Sequence, residues 1–529
     1  MASVAHPWLS PVALALLAPF AAVDDAQAGE LNLSAIARYA SSEQVSDIAQ
    51  FGDVKPTDWA YQALSNLIER YGCAAGHPGG TYRGGKAMTR FEAAALLNAC
   101  LDRVSEVSDE LKRLMAEFAK ERAMLKGRVD GLEAKVGVLE AQQFSTTTKL
   151  SGQATMVLGG TAFGGSAING SANTVNSVSQ GALPLTNAVT FNYDVQLNFD
   201  TSFNGNDLLR TVLRSGNFDG TSNSFGGGGP TTLSQLEVAF QEDSGANVVG
   251  IDKLYYQLPI GAGFTATMGG RVGQEDMLAL WPSVYPSATV LDVLTLNGAP
   301  IAYNKNLGPG IGLWWQQNGF SISGSYVAAN GANGSPARGG IGTANAVSSG
   351  TLQLGYQQEQ WGAAFLYSAV QGMGAAYGTG YLMNVLNSTP NLTNAFAISG
   401  YWQPKQSGWL PSISAGWGLN STTFSRVQPA GTPTTSQSWS VGLNWADAFR
   451  KGNAAGMAIG QAPFATAQSG GGSPNDGNWM WEWWYSFQVT DNISITPALF
   501  YLSRPLGQDT PAGQSFNQLG ALIKTQFSF

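Results

Sequence analysis

The chain's only two histidines, His6 and His77, lie upstream of residue 148. The long remainder, 148–529, therefore has no imidazole to take a proton from a serine, and Ser-His nucleophilic chemistry is excluded there. The carboxylate pairs Glu242-Asp243 and Glu275-Asp276 are adjacent in sequence. In extended backbone adjacent side chains point to opposite faces, so neither pair builds an acid–base dyad. They read as loop residues, calcium-friendly at best. No spacing of His or Cys suits a metal ion, and no cofactor is expected. The expectation is a protein that is not an enzyme.

The basic residues suggest other chemistry. Through Asp207 to Arg214, alternation sends Leu209, Thr211 and Leu213 to one face and Arg210 and Arg214 to the other. The same count turns Lys253 and Arg271 inward. Four cations along one wall of a pore would raise the local potential and favour anions. Alternatively, each pairs with a carboxylate such as Asp194, Asp200 or Asp207 and stiffens the wall.

These residues need strands to hold them. Val189, Phe191, Tyr193, Val195, Leu197 and Phe199 alternate strictly with Thr190, Asn192, Asp194, Gln196 and Asn198. Such a period-two segment is a strand with different solvents on its two faces, and its length suits a tilted crossing of a bilayer. The chain ends the same way. Ala521, Ile523, Thr525, Phe527 and Phe529 share a face, opposed by Lys524, Gln526 and Ser528. The segments 253–258 and 264–269 alternate as well. Trp479, Trp481, Trp483 and Tyr485 oppose Met480, Glu482, Trp484 and Ser486, an aromatic row suited to an interfacial girdle. Gly-, Asn- and Ser-rich loops such as 159–187, 219–234 and 328–350 separate the strands. The expected fold of 148–529 is an all-β transmembrane antiparallel barrel of about 16 strands with a water-filled lumen. A soluble sandwich or propeller would not explain the terminal Phe529, the export signal or the Trp/Tyr clusters.

Charge divides the chain in the same place. Of 27 Lys+Arg and 35 Asp+Glu, residues 1–147 hold 14 and 18, and the longer remainder holds 13 and 17. The polarity of the barrel interior would then come mostly from neutral groups. After the N-terminus no run of apolar residues is long enough for a transmembrane helix. A net charge of −8 with no basic tract gives no sign of nucleic-acid binding.

Residues 1–28 read as a secretory signal. An apolar run from Val12 to Val23 leads to Ala26-Gln27-Ala28, although the start carries His6 and no Lys or Arg. A linker, 29–50, follows. Cys73 and Cys100 would meet an oxidising compartment, where they are candidates for a disulfide; two buried small apolar side chains are the alternative. Residues 51–104 read as helix, Gly- and Pro-rich loop, helix. Apolar residues at 60, 63, 64, 67 and 68 have helical spacing, and Thr89 with Glu92 has capping-box spacing.

The run Phe51-Gly52-Asp53-Val54, Trp59-Ala60, Gly80-Thr81-Tyr82-Arg83 and Thr89-Arg90-Phe91-Glu92 resembles a single S-layer homology domain. The resemblance implies binding to peptidoglycan-linked cell-wall polysaccharide. Thr89 and Arg90 would contact an acidic sugar, and Asp53 and Trp59 match the signature. The family's Pro-Asp-Gly turn is replaced by His77-Pro78-Gly79-Gly80. Arg90 is alternatively a surface residue bonding carbonyls of its own domain.

Positions 104, 111, 118, 125, 132 and 139 are Val, Leu, Phe, Leu, Leu and Leu. A seven-residue spacing is a coiled-coil seam, so 105–143 is expected to associate with copies of itself. An amphipathic helix lying on a membrane is the other reading. In the barrel, Thr201 to Thr211, Gly216-Asn217-Phe218, Lys253-Leu254-Tyr255-Tyr256 and Asp491 to Leu499 resemble the carbohydrate-selective porin family, as in cyanobacterial porins of the iron-uptake type. The order of signal, S-layer homology domain, coiled coil and barrel is that family's layout. It implies an outer-membrane channel for small hydrophilic solutes and inorganic ions, embedded in outer-membrane lipid as a homotrimer, with its N-terminal domain in the periplasm. A mainly structural tether between outer membrane and wall, with a plugged or poorly conducting barrel, is the alternative.

Overall fold

The computed structural model describes residues 57–71, 90–101, 109–123, 147–169, 186, 188–286, 290–372 and 377–529. The expected signal peptide and linker, Asp53, Cys73, Thr89 and the seam positions 104, 125, 132 and 139 lie outside them. The chain divides into two units, 1–143 and 144–529.

In the first unit, α1 spans Trp59–Tyr71, α2 spans Arg90–Leu101 and α3 spans Asp109–Glu117. Leu64 of α1, Ala93 and Leu97 of α2, and Leu111 and Leu114 of α3 meet in one core, closed by Phe118 just beyond α3. Two members of the expected seam, Leu111 and Phe118, are thus buried inside their own unit. Three short helices bury too little surface singly, so the apolar stripe of α3 is used to complete this core. The expected boundary at 104/105 lies between α2 and α3, outside the described residues, and the two helices share this core.

The second unit is a closed barrel of sixteen antiparallel strands, each paired with its neighbours in sequence, with β1 and β16 closing the ring. β1 is Thr148–Gly164, β2 Thr190–Thr201, β3 Leu208–Gly216, β4 Gly250–Gly261, β5 Phe264–Gly273 and β6 Leu307–Gln317. β7 is Phe320–Ala328, β8 Ser348–Gln357, β9 Trp361–Gln371, β10 Asn391–Trp402 and β11 Ser412–Phe424. β12 is Pro433–Ala446, β13 Ala454–Gln468, β14 Trp479–Thr490, β15 Ile493–Ser503 and β16 Asn517–Ser528. Closure reaches the last residue: Phe529 and Gly152 exchange backbone hydrogen bonds, N–H to O=C in both directions. A closed ring leaves no edge whose backbone groups would go unpaired in lipid.

The expected alternation holds. Phe191, Ile311, Ile322, Leu352, Ile398 and Trp483 stand exposed on the outer face, while Asn192, Asp194, Ser323 and Thr351 are buried inward. The outward row Trp479, Trp481, Trp483 and Tyr485 is not a girdle at one depth. It runs along β14, a rise of about 3.4 Å per residue, so its rings cover much of the wall's height. One rim carries short turns such as 262–263, 318–319 and 491–492; the other carries every long connection.

Those long connections do not all leave the barrel. The described residues of 274–306 fold inward and pack Tyr285, Val290, Leu291 and Leu294 against Ala458, Met480, Trp484 and Ala498 of the wall. Segment 217–249, which contains the expected loop 219–234, does the same with Phe218, Phe225, Leu233 and Leu236. The two inward segments bridge at Leu236 and Leu291. A third connection, 372–390, carries α4, Gly380–Leu386, whose Leu382 and Leu386 pack with Ile301 and Tyr303.

Candidate functional site

The inner wall under segment 274–306 is lined with small hydroxyls. Ser399 Oγ donates to the Asn297 carbonyl at 2.8 Å, Ser438 Oγ to Gly298 at 2.9 Å, and Ser368 Oγ to Ala302 at 3.0 Å. Ser414 Oγ accepts from the backbone N–H groups of Val284 and Tyr285, and Ser323 Oγ accepts from Ala279. A loop brought inside a barrel loses its water, so its backbone groups must find partners on the wall. The neutral polarity expected to face water instead serves this loop. Close approach also needs missing side chains: a Cβ on Gly416 would overlap the Asn297 carbonyl oxygen, and one on Gly442 would overlap the Tyr285 ring.

The loop is fixed at its middle by one carboxylate. Glu482 of β14 is fully buried, and it accepts from Tyr285 Oη at 2.6 Å and from the Leu291 N–H at 2.7 Å. Trp484 Nε1 donates to the same Tyr285 oxygen at 2.8 Å. Period-two counting placed Glu482 inward, but nothing in the sequence identified its partner, which lies almost two hundred residues away.

β2 to β4, with the two inward segments, hold a charged sector. Arg210 makes a bidentate pair with Asp200, both bonds at 2.7 Å. Arg214 pairs with Asp194 at 2.8 Å, lies 3.7 Å from Asp252, and covers the Phe240 ring at 4.6 Å. Asp252 reaches Arg214 because it is an extra residue between the pairs Val212↔Lys253 and Leu213↔Ile251, a bulge that re-aims the strand. Lys253 Nζ is gripped by Glu275 at 2.8 Å and Asp276 at 2.6 Å.

Glu275 and Asp276 read as loop residues, on opposite faces only if extended. They do lie on a connection, in a single 3-10 turn, Glu275–Met277, whose curl lets both close on one ammonium. Lys305, with Asp292 at 3.2 Å and Glu237 at 3.7 Å, completes the sector. Burial holds the Glu237 carboxyl above its ordinary range, opposed by nearby Lys305. The Lys305 ammonium is raised: burial disfavours its charge, but Asp292 and Glu237 outweigh that. Lys305, Glu237 and Asp292 escaped the sequence reading because all three sit on inward segments without alternation.

Of the four cations expected inward, Arg210, Arg214 and Lys253 share this sector and each meets a carboxylate. Arg271 does not join them. β5 carries an extra residue, Gly270, between the pairs Tyr255↔Gly269 and Leu254↔Arg271, so the parity of the strand changes. Val272 takes the buried inward position beside Tyr255, Met277 and Val327, and Arg271 Nε donates to the Asp252 carbonyl. Asp207, the third carboxylate considered as a partner, instead organises the 202–207 turn, accepting from Ser202 Oγ and from the N–H groups of Phe203 and Asn204.

Residues 106–529 match the family described as carbohydrate-selective porin, OprB family, and residues 50–94 match the S-layer homology domain. The chain belongs to the OprB family of carbohydrate-selective porins. An uncharacterized protein of Nostoc sp. is 34% identical, over 92% of this chain and 86% of its own length. A second, from Synechocystis sp., is 30% identical over 92% of this chain and 91% of its own. Among solved structures, the high-pH structure of Pseudomonas putida OprB is 11% identical with a TM-score of 0.45, covering 75% of this chain and 97% of that one. This OprB-family porin is an outer-membrane channel protein and not an enzyme, and it carries an N-terminal S-layer homology domain.

In the helical unit of the porin, α2 begins at Arg90, the residue after Thr89, as the capping-box spacing predicts. Trp59 opens α1 and is 36% exposed, and the Arg113 guanidinium lies 4.1 Å from its ring centroid. This candidate wall contact is therefore already stacked within its own unit. Cys100 is fully buried and disulfide-bonded, and Cys73, its expected partner, lies outside the described residues.

Proposed function

We propose that this OprB-family porin is a passive diffusion channel for small hydrophilic solutes and inorganic ions. It works as a homotrimer in outer-membrane lipid and is held to peptidoglycan-linked polysaccharide by its S-layer homology domain. The observation that carries the channel reading is the closed sixteen-strand ring whose charged sector keeps solvent contact. Planar-bilayer recording of the full-length protein tests it. Stepwise conductance that scales with salt is expected; folded protein without conductance rejects it. The apolar packing of the two inward segments favours a second reading, a tether with a poorly conducting barrel, and the same recording separates the two.

For the wall, we take Asp53, Trp59, Thr89 and Arg90 as the contact residues and Cys73–Cys100 as a disulfide bracing them. Arg90 stands at the first turn of α2, where free backbone N–H groups and the helix dipole favour an anion. A guanidinium there grips an acidic sugar with two parallel bonds, which an ammonium lacks. The full-length protein should co-sediment with native sacculi. Arg90→Ala should weaken this and Arg90→Lys restore it in part. Unchanged sedimentation of Arg90→Ala removes Arg90 from the site.

A further inference from the structure

The charged sector is unbalanced. Arg210 has one carboxylate partner, Asp200. Arg214 has two, Asp194 and Asp252; Lys253 has two, Glu275 and Asp276; Lys305 has two, Asp292 and Glu237. Four cations thus meet seven carboxylates. Lys149, cross-strand from Asp200 at the short-turn rim, adds a fifth cation. Glu482 and Lys524, buried on β14 and β16, add one charge of each sign. Carboxylates remain in excess, and Arg271 contributes nothing because its bulge turns it away.

This sector is also where solvent reaches. The Arg210, Lys305 and Glu237 side chains are 36%, 25% and 25% exposed. The inward hydroxyls beneath segment 274–306 are closed off, with Ser368 and Ser438 at 0% and 1%. A permeating ion therefore passes the charges and not the serines. Low-dielectric walls focus the field of the excess charge onto that path.

We propose that the channel prefers cations to anions, with Glu275 and Asp292 as the residues that set the preference. Each inner cation holds two carboxylates in place and neutralises only one. Each such group carries one more negative charge than positive on the inner side of the wall, and the Lys305 group, with Lys305 and Glu237 each 25% exposed, is open to solvent. A passing cation is stabilised without either carboxylate having to move, whereas an anion is repelled by the same fixed charge.

The inference rests on the passive-channel reading, and one experiment separates the two. Full-length protein in planar bilayers is placed under a potassium chloride gradient and the reversal potential is read. The expected sign is that of potassium permeation, with a permeability ratio clearly above one near ~0.1 M salt. The ratio should fall toward one near ~1 M, where the screening length shrinks from about 10 Å to about 3 Å. The double variant Glu275→Gln/Asp292→Asn should lower the low-salt ratio by roughly half or more. Should the variant not assemble, the salt series on the unaltered protein still decides. A chloride preference, or no preference at low salt, overturns the inference while leaving the channel intact. Absence of any current overturns the channel reading itself.

Discussion

The Tyr285 hydroxyl donates a 2.6 Å hydrogen bond to Glu482, joining the middle of an inward connection to strand β14. The second oxygen of Glu482 accepts the Leu291 N–H, so one carboxylate ties down two points of the same segment. Removing it by Glu482→Ala leaves a buried hydroxyl and a buried N–H without this acceptor, a loss of about 1–3 kcal/mol for each. The segment should loosen while the barrel stays closed. Single-channel recordings of Glu482→Ala should show added current noise or a changed conductance. A trace indistinguishable from the unaltered protein would show that wall packing alone fixes the segment.

Gly416 tests the same seat from the wall. A side chain there meets the Asn297 carbonyl, which is already held by Ser399. Gly416→Val should displace segment 274–306 toward the lumen axis and cost about 1–3 kcal/mol, as overpacking does. The expected reading is lower conductance together with a lower thermal unfolding midpoint on gel-shift assay. If both values are retained, the segment has room to move that the close contact does not suggest.

The helical unit offers an independent test. Phe118 is fully buried against α1 and α2. Phe118→Ala should destabilise this unit by about 3–5 kcal/mol through lost burial and a cavity. In the full-length protein, limited proteolysis should then clip the N-terminal unit quickly while the barrel stays resistant. Equal protease resistance would return Phe118 to the role of an intermolecular seam residue.

Asp476 makes the rim pH-sensitive. It is buried in the 469–478 connection, accepts from Thr379 Oγ1 and Gln508 N–H, and also takes the Ala465 N–H. Burial pushes its carboxyl up to about 6, against the lowering effect of those three donors. The folded state thus binds this proton more tightly than the unfolded chain, whose value is near 3.8. Its contribution is present in full below that value and is lost as pH rises through about 6, a span of at most about 3 kcal/mol. The thermal midpoint should fall between pH 4 and pH 7 by an amount that Asp476→Asn reduces. An identical pH slope in the variant would assign the effect to other buried carboxylates such as Glu237, which shares the same sign.

Much of the barrel was determined by the sequence alone. Period-two alternation fixes which side chains face lipid and which face inward, because neighbouring residues of a strand must point to opposite sides. That rule sends Arg210, Arg214, Lys253 and Glu482 to the inner side of the wall, where their partners stand, and strand-plus-loop spacing yields the strand number. It fails at Arg271 because a single extra residue, Gly270, inverts the parity, and a bulge leaves no mark on hydrophobic period. The seam at 111 and 118 is an equally real pattern, but a stripe says only that a helix must be covered. The tertiary structure decided that α1 and α2 cover these positions. It also decided that two long connections enter the lumen, because their anchors are serines and a glutamate on strands far along the chain. Local sequence encodes the side of a strand on which a residue stands; only the closed ring brings Lys305, Asp292 and Glu237 beside Lys253 and sets the sign of the charge that a solute meets.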